Sequence, residues 1–207
     1  YDDEDFLWMK NYLQLDGMTY KLVPIKTEIP KDASPLEMGG IDTDKMYANV
    51  MKWDWGNSES LSIYHDPETR KNSITYRSYL SRLMNQLILE GKKEKAKNII
   101  TLAMNKMPLE QFGYYSLLEP FAKGYYDLGE NAKAQDLLSK LILKYKENLK
   151  YYSSLTPSDQ TSLAIDIITD IERYRSLLLV MKESGDVTFY NKNKAQFNTY
   201  VSIFERF

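Results

Sequence analysis

Apolar side chains recur at helical spacing between residues 76 and 146, and they do so twice. Leu80, Leu83, Met84 and Leu87 form one stripe, followed by Ala96, Ile100 and Ala103. Leu118, Phe121, Ala122 and Tyr125 repeat the first stripe, and Ala134, Leu138 and Leu141 repeat the second. Steps of three and four residues place each set on one face of an α-helix. Gly91 and Gly129 lie 38 residues apart, as do Ala96 and Ala134. A period in the thirties with small residues at matched places marks an α-helical repeat array. The glycines fit helix C-caps, where a positive φ is wanted. The alanines fit the place where the second helix of each pair must cross the first closely. Two differences separate the copies. Leu141 stands where the first unit has Ala103, and Lys146 where it has Pro108.

The flanking segments follow other periods. Residues 6–12 read as a short helix with Phe6, Met9 and Leu13 on one side. Met18, Tyr20 and Leu22 then alternate with Thr19, Lys21 and Val23 around an Asp16-Gly17 turn, which predicts a small hairpin or one extended segment. Pro24 restricts it to a sheet edge. Residues 26–41 contain Pro30, Pro35, Gly39 and Gly40 and read as an exposed loop. Asp42 reads as the N-cap of a helix reaching about Trp53, with Asp44 in its first turn, Met46, Val50 and Trp53 on one face, and Gly56 as the stop. Asp66 before Pro67 is a further start signal, and the first repeat helix is expected from about Ser73. Pro120 falls on the first helix of the second unit. It predicts either a kink or a helix that starts at Glu119-Pro120, with 112–118 as a separate turn. Tyr151, Tyr152, Ser153 and Ser154 read as a connector. Thr156-Pro157-Ser158-Asp159 resembles a capping box with Asp in place of Glu, opening a helix to about Ser184 that Gly185 closes. Its expected stripe is Ala164, Ile168, Ile171, Tyr174, Leu178 and Met181. Asp186 caps a last helix carrying Tyr190, Phe197, Val201 and Phe204.

The fold class expected is mostly α: helical hairpin repeats forming an α–α superhelix, with a small irregular or β-containing N-terminal extension. Residues 1–72 form that extension and a capping helix. Residues 73–207 form the repeat domain, with two recognisable repeats at 76–146 and a C-terminal helix pair as the cap, in one compact unit.

Composition narrows the chemistry. The chain has 207 residues, with 27 basic and 29 acidic side chains and a formal net charge of −2. Mixed charge near zero argues against nucleic acid and against a strongly charged membrane surface as partners. No cysteine is present, which excludes disulfides and thiolate metal sites. No apolar run approaches the roughly 18 residues of a membrane span. The chain begins at Tyr1 rather than Met, without a signal-peptide pattern, and reads as an excised piece or a processed form. His65 is the single histidine. It lies in a Tyr64-His65-Asp66-Pro67 turn, away from any Gly-x-Ser-x-Gly elbow, and reads as a turn histidine rather than a catalytic one. Asp42-x-Asp44 has Met46 at the next ligand position of a calcium loop and Tyr47 where glycine is required, so capping explains both aspartates. No catalytic residue, metal site or cofactor is expected. The aromatic residues offer another possibility. Trp53 and Trp55 near Tyr64, and Tyr114, Tyr115, Tyr125, Tyr126, Tyr151 and Tyr152 on the repeats, read as platforms for sugar rings or peptide side chains, or else the repeat tyrosines fill the seam between helices.

The repeat spacing resembles the tetratricopeptide pattern of large-large-small-large on one helix, then Ala, large, Ala, Pro on the next. In such repeats fixed positions of the first helix line an inner groove. Here these are Ser78, Ser81 and Asn85, then Glu119, Lys123 and Tyr126. The carboxylate clamp of some such domains needs Lys where Ser81 stands; only Asn85 matches. Three stretches together carry a wider resemblance: Tyr12-Leu13-Gln14-Leu15-Asp16-Gly17-Met18-Thr19-Tyr20-Lys21-Leu22-Val23-Pro24-Ile25, Asp42-Thr43-Asp44-Lys45-Met46-Tyr47, and the helix and turn over 74–96. They resemble the C-terminal soluble domain of a family of large bacterial multi-spanning membrane proteins. That family's membrane part is similar to protein O-mannosyltransferases, which use lipid-linked sugar donors. The resemblance covers about residues 6–152. It implies an accessory domain on the extracytoplasmic (periplasmic) side of the inner membrane. Its partner would be a protein or peptide, either a glycosylation acceptor or a partner subunit, and its contact with the membrane would run only through an upstream part. It implies no catalytic residue within this chain. The alternative reading is a stand-alone secreted or periplasmic glycan- or peptide-binding repeat protein. Neither reading specifies an oligomeric state.

Overall fold

The structure, a computed structural model, describes residues 7–28, 37–205 and 207. Phe6, Pro30 and Pro35 lie outside the described residues. The protein is mostly α, with one three-stranded sheet near the N-terminus. Contacts group the chain into two units, Tyr1–Leu117 and Leu118–Phe207. No helix among the described residues is long and apolar enough to cross a membrane.

In the first unit a 3₁₀ turn, Leu7–Tyr12, leads into β1 (Leu13–Asp16) and β2 (Thr19–Leu22). These pair antiparallel with Leu15 opposite Tyr20. β3 (Gly40–Ile41) adds parallel to the other side of β1, giving the order β2-β1-β3. The strand preceding Pro24 is therefore an edge strand, as a residue without an N–H requires. The stretch read as a loop over 26–41 thus ends in a strand. Two residues pairing with a distant segment leave no periodicity to read. Gly39 makes that pairing possible. Its φ is +78°, and a Cβ there would lie 2.8 Å from the Leu13 carbonyl oxygen. The alternating face is not uniformly buried. Leu15 is fully enclosed and Tyr20 half-buried, but Leu22 at the end of the edge strand is 61% exposed.

α1 (Thr43–Val50) starts where Asp42 accepts from the Lys45 N–H at 3.1 Å. It buries Met46 and Val50 and ends three residues before Trp53. α2 (Pro67–Leu89) is one helix of 23 residues, capped by Asp66 through the Glu68 and Thr69 N–H groups. The start signal at Asp66 and the repeat helix expected near Ser73 therefore belong to the same element. α3 (Lys93–Lys106) follows, then the single turn α4 (Leu109–Phe112) after Pro108.

The second unit begins as Pro120 requires. A separate 3₁₀ turn, Tyr115–Leu118, precedes α5 (Glu119–Asp127), with the proline in the first helical turn, where no intrahelical N–H bond is needed. α6 (Asn131–Ser153) is 23 residues long, against 14 for α3. Lys146 can donate its N–H where Pro108 cannot, so α6 runs on through Tyr151 and Tyr152, which were read as a connector. Thr156 caps α7 (Pro157–Ser162), and a break at Leu163 separates it from α8 (Ala164–Glu183). That break shifts the phase of the first turn: Ile167 is buried, and Ile168, expected inside, is exposed. α9 (Val187–Ile203) completes the unit, starting from the Asp186 cap.

The turns α2–α3, α5–α6 and α8–α9 share one geometry. After α2, Gly91 N–H bonds Ile88 O and Lys92 N–H bonds Leu87 O. After α5, Gly129 bonds Tyr126 O and Glu130 bonds Tyr125 O. After α8, Gly185 bonds Lys182 O and Asp186 bonds Met181 O. This is the paired closure of a Schellman motif. Ala96 and Ala134, five residues beyond the first two glycines, are fully buried at the helix crossings.

Candidate functional site

The six groove positions are largely occupied by internal contacts. On α2, the Ser81 hydroxyl donates to the Ser78 carbonyl at 2.9 Å, and Ser81 is only 8% exposed. On α5, Glu119 accepts from the Ser176 hydroxyl at 2.7 Å, and Lys123 pairs with Asp127 at 2.9 Å. Tyr126 is buried and donates to Asp186 at 2.8 Å; Gln135 donates to the same carboxylate at 2.7 Å. Burial and the adjacent Asp186 push the Tyr126 hydroxyl up. Burial works against the Asp186 anion too, but bonds from Gln135, Tyr126 and the Phe189 N–H hold it below the ordinary carboxyl value. Of the six, Asn85 and Lys123 present exposed side chains.

A more developed concavity lies within the first unit. It is a pocket of about 250 Å³ between α2, the 54–58 loop and the turn after α3. Trp55, Tyr76, Met107 and Phe112 supply apolar walls; Asp54, Ser58, His65, Thr69, Asn72 and Ser73 supply polar ones. Tyr76 lies 5.4 Å from both Trp53, which it meets edge-on, and Trp55, to which it is tilted; the two tryptophans are themselves 5.6 Å apart. Tyr64, expected in this cluster, is 79% exposed, and Tyr76 takes its place. The Trp53 ring reaches the β1–β2 turn, where a Cβ on Gly17 would come 3.3 Å from Trp53 Cζ2.

The walls are pinned on every side. His65 Nε2 donates to the Ser58 carbonyl at 2.9 Å, and its ring packs 4.6 Å from Phe112. Ser58 Oγ donates to Lys106 O at 2.7 Å, Gln111 Nε2 to Ser60 O at 2.7 Å, and Arg70 Nε to His65 O at 2.9 Å. Arg77 holds the far wall. It is fully buried, and it donates to the carbonyls of Met107 (2.8 Å) and Gly113 and more weakly to Tyr114 (3.5 Å). Desolvation pushes the guanidinium down to about 10, still charged at neutral pH. The Met107 contact answers the α3 C-terminus, where carbonyls lack helical partners and a cation is favoured, and the Gly113 and Tyr114 contacts lie just past α4. Arg77 and Tyr76 were not singled out from the sequence. Both signals were present: Tyr76 and Arg77 sit four and three residues before Leu80, on the extension of the buried stripe.

The N-terminal sheet is fastened to the same helix. Arg82 donates to Met38 O at 2.9 Å, Gly39 O at 2.8 Å and the Tyr20 hydroxyl at 3.2 Å. Tyr20 meets Tyr79 edge-on at 5.9 Å, and desolvation raises the Tyr20 hydroxyl to about 12. At the other end, Asp44 pairs with Lys92 (2.8 Å) and Lys95 (2.6 Å), tying α1 to the α2–α3 turn. Asp42 and Asp44 thus serve a cap and an ion pair. No cluster of three or more His, Asp or Glu groups suited to a metal occurs among the described residues.

The family described as TMEM260-associated domain 2 matches residues 1–45. That span takes in the three strands and the first turn of α1, and none of the helical hairpins. No curated protein and no solved structure matches the chain.

Proposed function

We propose that this chain is a non-catalytic interaction or acceptor-positioning domain of tetratricopeptide-like build. It serves the extracytoplasmic side of a membrane glycosyltransferase-like protein. The family match at residues 1–45 supports the placement in a TMEM260-related protein; the resemblance described above supports the glycosyltransferase-like parent. The observation that carries the reading is the Arg82 latch. A sheet of three short strands has little stability alone. Here three hydrogen bonds and a Tyr20–Tyr79 contact fix it on α2. A chain entering through this sheet is thereby held at a set angle to the first hairpin, as a positioning domain needs.

The test uses the parent protein in sealed membrane vesicles. Protease added to the extracytoplasmic side should release fragments of this domain. Arg82→Ala, which loosens the sheet while leaving the hairpin core intact, should reduce glycosyl transfer to a protein acceptor. Cleavage from the cytoplasmic side, or undiminished transfer, would sink the proposal.

A further inference from the structure

The pocket beside Trp55 has the size, walls and polarity of a site for one small ring. Its volume of about 250 Å³ lies below the roughly 300–1,000 Å³ of sites for drug-sized ligands. One ring fits; an extended segment does not. No lysine or arginine lines it, so an anion would find no counter-charge. A quaternary ammonium cation is bound in a cage of aromatic faces. The three rings here pack on one another at 5.4–5.6 Å and form no such cage, though Trp55 and Tyr76 still line the pocket. What remains is a neutral group with one apolar face and a polar rim.

A second observation is independent of shape. Trp55 Nε1, Glu59 Oε2, Arg77 Nε and Gln111 Oε1 are buried without a hydrogen-bond partner. Among the described residues these are the buried side-chain atoms so left; Trp55 lines the pocket, and the other three residues lie outside its lining. Native proteins leave few such atoms, so the unpartnered Trp55 Nε1 at the pocket calls for an explanation. The Asn72 amide, exposed at the pocket, makes no hydrogen bond within the described residues. Asp54 uses one oxygen on the Gly56 N–H at 2.9 Å and has the other to offer.

We propose that this pocket binds a single neutral sugar ring, a monosaccharide unit of a glycan. The ring's C–H face lies on Trp55 and Tyr76, and its hydroxyls meet Asn72 and Asp54. This rests on the pocket alone and holds whether or not the domain is attached to a membrane enzyme.

The test is a titration of the whole chain with the methyl glycosides of glucose, mannose, galactose and N-acetylglucosamine, read at the three tryptophan indole N–H resonances. At least one glycoside should shift the Trp55 signal and leave that of Trp8, which is 75% exposed in the N-terminal turn, in place. Asn72→Ala should weaken binding about tenfold, or 1.4 kcal/mol, with an unchanged melting temperature. No shift with any of the four glycosides, or equal affinity in Asn72→Ala, would overturn the proposal. A Trp55 shift with N-acetyl-tyrosine amide or N-acetyl-arginine amide but no glycoside would reassign the pocket to a peptide side chain. Neither result would touch the vesicle experiment.

Discussion

The two hairpins share one frame and are locked by opposite means. Each has a glycine turn of the same geometry and one fully buried alanine at the crossing. Around the first hairpin the lock is polar and reaches backbone. Arg77 grips carbonyls after α3, and Arg82 grips carbonyls before β3. Around the second the lock is apolar, with Tyr145, Leu149, Ile167, Tyr174 and Phe197 filling the space among α6, α8 and α9. Its main polar feature is the bond from Tyr126 and Gln135 to Asp186 at the half-buried α9 cap. The repeat frame therefore sets the turn and the crossing. The segments outside the repeat decide how the open faces are closed. Regular helices close by side-chain packing, whereas irregular segments have unpaired backbone groups that must be answered.

Arg77→Ala tests this contrast most severely. It removes donors from buried carbonyls and leaves a void, and should cost about 3–5 kcal/mol in chemical denaturation. A loss under about 1 kcal/mol would show that the first unit does not depend on its polar lock. The glycines give the next contrast. Gly39→Ala meets both a left-handed φ and the Leu13 carbonyl, and should cost roughly 2–4 kcal/mol. Gly129→Ala has the same φ problem but open space, and should cost about 1 kcal/mol. Equal losses would mean that the approach of β3 to β1 is not tight. In the second unit, Tyr126→Phe deletes one of several bonds to Asp186 and should cost about 1 kcal/mol.

The smallest effect is electrostatic. Hydrogen bonds from Lys92, then Lys95, hold the Asp44 carboxyl down to about 2, against an ordinary 3.8. A carboxyl depressed by folding stabilises above its unfolded value and loses that contribution as pH falls toward the folded one. The parent should therefore lose stability between about pH 4 and pH 2 slightly more steeply than Asp44→Asn. Identical acid limbs would show that solvent screens this ion pair completely.

What the sequence disclosed, and what it withheld, follow the same division. Gly91, Gly129, Ala96 and Ala134 were legible because local geometry demands those residues at those spacings. Pro120 was legible because a missing N–H has only a few acceptable places. β3 was not, since its partner β1 is two dozen residues away and its two residues carry no period. The Trp53–Trp55–Tyr76 cluster was half legible. The tryptophans stood out by type, but their partner is fixed by where the 54–58 loop lands on α2. Arg77 was not singled out: its place on the extended stripe was visible, but its partners are carbonyls 30 or more residues downstream.

The length of α6 has a dynamic consequence. The turns it gains beyond Lys146 bury Leu149 against neighbouring elements and let Asn148 bond Asp170 on α8 at 2.9 Å. Nothing in the repeat frame protects those turns; α8 does. Local opening follows such shared contacts rather than helix boundaries. The outer end of α6 and the facing part of α8 should therefore open together, as one exchange unit that cuts across the repeats. The inner turns near Ala134 should stay closed until the whole unit unfolds.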